Sequence, residues 1–146
     1  MTDVKIKILR ENVSLPKYAT SGSAAFDLVC ASETPILIPA GKRALVPTGI
    51  AISIPTGTVA VISARSGLSA KKGITAANGI GVIDSDYRGE IFFSAANISD
   101  EDYIVAPGER VAQMMIMPVF SANFIVCDEL DETERGAGGF GSTGKI

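Results

Sequence analysis

Asp84, Ser85, Asp86, Tyr87, Arg88 and Gly89 stand together behind the apolar run Gly79-Ile80-Gly81-Val82-Ile83. The β-branched run favours a strand, and the Asp-, Ser- and Gly-rich stretch after it favours a turn. Glu90-Ile91-Phe92-Phe93 resumes an apolar run. The pattern predicts a β-hairpin with Asp84 at the end of one arm and Tyr87 near the tip. A carboxylate and an aromatic ring on one rigid hairpin can hold a base or a sugar beside an activated water. The same residues also suit a surface hairpin whose charges keep a sheet edge soluble.

The chain contains no histidine, which excludes Ser-His-Asp and Cys-His schemes in their usual form. Its two cysteines, Cys30 and Cys127, do not supply a tetrahedral zinc set. They read as buried free thiols in a reducing cytosol. Hydrolysis would therefore rest on carboxylates, arginines, hydroxyls, backbone amides or a borrowed metal. Asp27 and Asp84 are the candidate carboxylates, one to polarise water and the other to hold a hydrated metal. Arg65-Ser66-Gly67 falls where a strand meets a short helix, so a guanidinium, a hydroxyl and unpaired amides would form an anion site there. A plain helix cap uses the same residues. Gln113, inside the apolar run Val111 to Phe120, needs a partner if buried, either ligand or backbone. Gly136 to Thr143 nearly spells a phosphate-binding loop, but Ser142 stands where its lysine belongs and no helix pattern follows. Both departures argue against a P-loop NTPase. Glycine amides and hydroxyls still wrap phosphates, and Phe140 offers a flat face for a base; a low-complexity linker is the other reading.

The elements that must position these residues are mostly strands. At 146 residues, with 47% apolar and 20% charged positions, the chain is one globular domain with a core. Val4–Ile8 alternates as a half-exposed strand. Further short strands are expected at 24–30, 36–38, 44–47, 49–54, 58–63, 103–105, 111–120 and 124–127, with Gly and Pro between them. One segment, Ser66 to Gly73, reads helical, with a Ser at its start, two lysines in its last turn and a Gly at its end. This spacing predicts an all-β sandwich or barrel. A β domain is expected over 1–127, followed by an acidic, glycine-rich, mobile arm over 128–146. Net charge is −3, which disfavours a phosphate-rich polymer as partner and leaves open a small phosphorylated ligand held by a few arginines. No run approaches the roughly 18 apolar residues needed to span a bilayer. The N-terminal residues lack a signal-peptide pattern, so a cytoplasmic location is expected.

Five stretches, in order, resemble the trimeric dUTPases: Ser23-Ala24-Ala25-Phe26-Asp27-Leu28; Ala64-Arg65-Ser66-Gly67-Leu68; Asn78 to Glu90; Gly108-Glu109-Arg110-Val111-Ala112-Gln113; and Arg135 to Gly144. Ala25 stands where a glycine is common in the first motif, and Ala64 where a proline is common in the second. The resemblance implies a jelly-roll-like β subunit in a homotrimer whose active sites lie between subunits. It implies hydrolysis of dUTP to dUMP and pyrophosphate with Mg²⁺ on the triphosphate, keeping uracil out of DNA and supplying dUMP for thymidylate synthesis. It places the water-activating carboxylate on Asp84 and the sugar-stacking ring on Tyr87. Asn78 and the backbone at Gly81 and Ile83 would read uracil. Arg65, Ser66, Gly67 and Gln113 would hold phosphates, and Asp27 would bind metal waters. The arm would close over substrate, with Arg135, Gly141, Ser142 and Thr143 on phosphate and Phe140 over the base. A related dCTP deaminase would need its catalytic glutamate at Ser94, where a serine cannot serve. A nucleotide-binding protein that has lost catalysis would not need Asp84, Tyr87 and Arg135.

Overall fold

The computed structural model describes residues 2–139. In chain order these form β1 (Lys5–Ile8), β2 (Phe26–Val29), β3 (Ile36–Ile38), β4 (Arg43–Pro47), β5 (Ile50–Ser53), β6 (Thr58–Ala64), α1 (Ser66–Lys72), β7 (Ile74–Ala76), β8 (Gly81–Ile83), β9 (Phe92–Asn97), β10 (Tyr103–Val105) and β11 (Arg110–Pro118). The largest sheet has the order β2-β11-β6-β8; β4-β9-β7 forms a second, and β1-β5 and β3-β10 are two-stranded. Every pairing is antiparallel. This is the expected all-β, jelly-roll-like sandwich. Its core is built from β-branched and aromatic residues of different sheets, among them Ile50, Ile62, Ile74, Ile91 and Phe93. Each such side chain contributes about 1.5–3 kcal/mol on full burial.

The turn after Ile83 corrects one expectation. β8 pairs with β6 (Ala60↔Ile83, Val61↔Val82, Ile62↔Gly81), whereas β9 pairs with β4 and β7. The segment 84–91 is therefore a crossing between two sheets, not the tip of a paired hairpin. Its far end is held by the β4–β5 corner, where Ile91 N–H donates to Ile50 O at 2.9 Å. From Phe92, paired with Pro47 of β4, the chain then runs in the second sheet.

The helix also differs at its start. Arg65 occupies the cap position in extended conformation and no side chain caps it, so Ser66 is the first helical residue. Gly73 closes the helix in the left-handed region (φ 65°), as its sequence position predicts. β7 adds to the expected strands: Ile74-Thr75-Ala76 follows directly on the helix-closing Gly73 and carries a single large apolar residue, too weak a local strand signal. The strand expected at 124–127 does not form: β11 ends at Pro118 and no strand follows it among the described residues. Phe120, Phe124, Ile125 and Val126 are all more than 80% exposed, since no neighbouring strand of their own chain is there to pair with them. Cys30 is buried as expected, but Cys127 is exposed for the same reason.

Candidate active site

Asp27, Gln113 and Ser63 lie directly opposite one another across β2, β11 and β6. Residues opposite each other in antiparallel strands share a face, so one row carries a carboxylate, an amide and a hydroxyl. Gln113 Nε2 donates to Ser63 Oγ and to Ala64 O, each at 3.2 Å. Asp27 accepts from two arginines: Arg65 Nε at 2.8 Å on one oxygen and Arg110 Nη1 at 3.1 Å on the other. Asp27, Gln113, Arg65 and Arg110, with Ser66 and Gly67 of α1, line a cleft of about 690 Å³. In all, Lys17, Arg65, Lys71, Lys72 and Arg110 face it against Asp27 and Glu109, leaving it three charges positive in a chain of net charge −3. Such a cleft focuses the field and draws anions. Glu109 is itself engaged, accepting from the Tyr103 hydroxyl and, at 2.9 Å, from Ala106 N–H. Burial, and then that bond to Glu109, push the Tyr103 phenol up to about 12. It therefore stays a donor at neutral pH.

A second group of candidates sits on the crossing segment. Asp84 is exposed, and no hydrogen bond among the described residues reaches its carboxylate. Its carbonyl accepts from Tyr87 N–H at 3.2 Å, making the turn. Arg88 Nη1 donates to Ser85 O at 2.7 Å and Tyr87 O at 2.8 Å, tightening it. Tyr87 is 44% exposed. Asn78 is exposed in the turn between β7 and β8, which leads directly into Gly81 and Ile83. Glu90 follows, with its carboxyl held below the usual carboxylate range by Arg10 first and then by the Gly49 amide.

The two groups are separated. β2 and β8 are opposite edges of one sheet, three strand spacings or roughly 14 Å apart. Along the strands, Asp27 aligns with Ser63 of β6, while Asp84 follows Ile83, the partner of Ala60. This adds an offset of about 13 Å, so Asp27 and Asp84 lie roughly 19 Å apart within one chain. Asn78, Gly81, Ile83, Asp84 and Tyr87 do not line the cleft that holds Asp27, Arg65, Ser66, Gly67 and Gln113. Arg135 sits in an exposed turn of the arm, its Nε donating to Gly138 O at 2.9 Å. Phe140, Gly141, Ser142 and Thr143 lie outside the described residues. Sequence reasoning missed Arg10, Arg110 and the lysines of the cleft. Arg10 and Glu90 are 80 positions apart, and Arg110 and Asp27 are 83 apart; no local pattern marks such pairs. The two adjacent lysines were read only as helix-end charges.

Among the described residues, no three His, Cys, Asp or Glu side chains gather into a metal cluster. Residues 11–144 match the family model described as dUTPase. A deoxyuridine 5'-triphosphate nucleotidohydrolase of Desulfitobacterium hafniense is 48% identical over 149 residues, covering 99% of each chain. One from Hydrogenobaculum is 50% identical over 139 residues, covering 95% of this chain and 96% of its own. The dUTPase of Staphylococcus bacteriophage 80alpha with dUPNHPP is similar in structure, with a TM-score of 0.90 at 26% identity over 99% of both chains. A mutant dUTPase from phage phi11 of S. aureus, whose structure details the coordination of a structural Mg(II) ion, shares the fold with a TM-score of 0.80 at 21% identity. It covers 89% of this chain and 99% of its own.

Proposed function

This chain belongs to the dUTPase family, and from that premise we propose that the turn of one copy and the cleft of another together form its active site. The enzyme hydrolyses dUTP to dUMP and pyrophosphate, which keeps uracil out of DNA and supplies dUMP. In the proposed site the cleft takes the triphosphate. Arg65, the Ser66 hydroxyl, the α1 amides and Gln113 hold the phosphates, supported by the positive balance of the lining. Asp84 takes a proton from the attacking water as general base. Tyr87 packs on the deoxyribose, and Asn78 with the backbone at Gly81 and Ile83 recognises uracil. Arg135 neutralises charge on the reacting phosphates, while Phe140 covers the base and Gly141, Ser142 and Thr143 close on phosphate. With no histidine in the chain, the chemistry rests on positioning and charge stabilisation, which is what phosphoryl transfer chiefly requires.

Mg²⁺ suits this donor set. The ion keeps several waters and is commonly held by one or two carboxylates together with substrate phosphates, so it does not need a protein cage. Of the two carboxylates at the cleft, Glu109 is taken by Tyr103 and Ala106, and Asp27 shares both oxygens with guanidiniums. That favours contact through water over direct ligation. When bound, the ion would offset phosphate charge.

The observation that carries the shared site is the separation of roughly 19 Å between Asp27 and Asp84 on one sheet, deduced from its strand order and register. A homotrimer, in which each copy lends its turn to the next, closes such a ring. The exposed Phe120, Phe124, Ile125 and Val126 also favour self-association, because contiguous apolar surface of this kind marks contact sites. A cytoplasmic location fits the buried free thiol of Cys30. The test mixes two inactive variants, Asp84→Asn and Arg65→Ala, under conditions that let copies exchange. If sites are shared in a ring, about a quarter of them regain a full set of residues at equal mixing, and pyrophosphate release returns to that level. A mixture that stays inactive after proven exchange would place both groups in one chain's own site and overturn the reading.

A further inference from the structure

Glu90 closes the crossing turn and is gripped from two directions. Arg10 donates to it as a fork, Nε to Oε1 and Nη2 to Oε2, both at 3.0 Å. Gly49 N–H donates to Oε1 at 3.0 Å. Beside it, Thr48 gives Ile91 O both its N–H, at 3.1 Å, and its hydroxyl, at 2.6 Å. The base of the turn is thus fastened to the β4–β5 corner by side chain and backbone together. The corner itself has no slack. Gly49 lies in the left-handed region (φ +69°), and a Cβ there would stand 2.6 Å from Val13 Cγ2 and 2.8 Å from Ala31 Cβ. Its carbonyl accepts from Leu9 N–H at 2.8 Å, which also places the start of the Arg10 side chain.

What this anchor carries is Tyr87. The Tyr87 hydroxyl donates to Glu90 O at 3.0 Å. Its ring lies against Gly89, where any Cβ would run into it. An aromatic ring 44% exposed has few neighbours to fix its rotamer, so these two contacts set its height above the turn. One contact is to Glu90 itself, whose carboxylate Arg10 and Gly49 grip, and the other is to Gly89, its immediate neighbour in the chain.

We infer that Arg10 and Glu90 are positioning residues for sugar discrimination: their forked pair holds the Glu90 carbonyl, and through it the Tyr87 ring, where a 2′-hydroxyl is excluded. The inference rests on the reading of Tyr87 as the sugar-facing residue. Excluding one hydroxyl is a demand on a wall's position and stiffness more than on its affinity. A ring that can retreat still stacks on deoxyribose but no longer rejects ribose. An ion pair that served only to stabilise the fold would affect both substrates alike.

The experiment measures kcat and KM for dUTP and UTP in Arg10→Gln, Glu90→Gln, the double variant and Arg10→Lys, each checked by thermal melting. Because the fit of a pocket around one small group is worth about 10–200-fold in discrimination, the dUTP/UTP ratio of kcat/KM is expected to fall about tenfold in either Gln variant. The fall should come through better use of UTP, with kcat on dUTP kept within about twofold. The double variant should match either single one, since the two groups act as a unit. Arg10→Lys keeps the charge but not the fork, so it should fall between; if the Gln variants fail to fold, it carries the test alone. An equal loss on both substrates, or an unchanged ratio, overturns the inference. Tyr87→Ala is measured beside them. If it relaxes the ratio while Arg10 and Glu90 variants do not, the anchor alone is wrong. If Tyr87→Ala leaves the ratio unchanged, the sugar-facing role of Tyr87 is wrong and the anchor's role falls with it.

Discussion

The cleft beside β2 and the turn beyond β8 occupy opposite edges of one sheet, and they are held together by different means. In the cleft the functional side chains hold one another: Asp27 ties Arg65 to Arg110, and Gln113 is tied to Ser63. In the turn the Asp84 carboxylate and the Tyr87 ring face stay exposed, and groups with no proposed chemistry brace them from beneath. Arg88, Arg10 and Glu90 do that work, while the Asp84 carboxylate stays exposed. The difference follows from what each must meet. Cations gathered for a polyanion repel one another before it arrives, and a carboxylate among them offsets that repulsion and preorganises the site. In the proposed roles, Asp84 as general base and Tyr87 as sugar wall must keep their own surface free, so their order comes from below.

Removing residues 134–146 should give the largest effect, and it shows which edge the arm serves. Among the described residues the last strand ends at Pro118, so melting temperature and oligomeric state should be unchanged. Turnover should fall by the roughly 10³–10⁵ that well-placed arginines contribute in phosphoryl transfer. Near-normal pyrophosphate release would make the arm a linker that serves neither edge. Asp84→Asn comes next: kcat should drop about 10²–10⁴-fold, as for loss of a general base. dUTP affinity by calorimetry should hardly move, because no binding group depends on that carboxylate. Turnover within a few-fold of wild type would remove Asp84 from the chemistry.

Salt should separate the two edges more gently. The cleft's field is screened over about 8–10 Å at physiological ionic strength, so kcat/KM for dUTP should fall as salt rises while kcat stays level. Lys71→Gln with Lys72→Gln should flatten that slope, whereas Asp84→Asn should leave it unchanged. An unaltered slope in the double lysine variant would mean that these residues do not steer substrate. Acid gives the smallest effect, read at the turn as the difference between wild type and Glu90→Gln. Glu90 has its carboxyl lowered below the usual 4.5 by Arg10 and the Gly49 amide. A depressed carboxylate contributes stability that is present above about 4.5 and lost as pH falls through its folded value. Wild type should therefore lose more thermal stability than Glu90→Gln on going below about pH 4.5, and the two curves should converge there. Parallel curves would show that the pair adds nothing to stability.

Most strands were legible because alternation and β-branching act over a few residues, and the end of α1 was legible because Gly73 tolerates a left-handed backbone. The motif residues offer chemical types that the proposed roles use: a carboxylate in a chain without histidine, arginines for phosphate, an aromatic ring for a sugar. The 124–127 strand was misread for a related reason. Phe124, Ile125 and Val126 have strand propensity, but a strand also needs a neighbour with open hydrogen bonds, and propensity does not say whether the neighbour lies in the same chain.

Composition and local pattern therefore determined an all-β chain and the chemistry its side chains can perform. Only the tertiary structure decided that the turn at 84–91 crosses between sheets, that Asp27 is shared by Arg65 and Arg110, and that Arg10 anchors Glu90. The partners of those ion pairs are separated by 38, 83 and 80 positions. Such pairings follow from strand order and register, which no window of a few residues contains. The distance between Asp27 and Asp84 was set in the same way, by which strands became the two edges of one sheet.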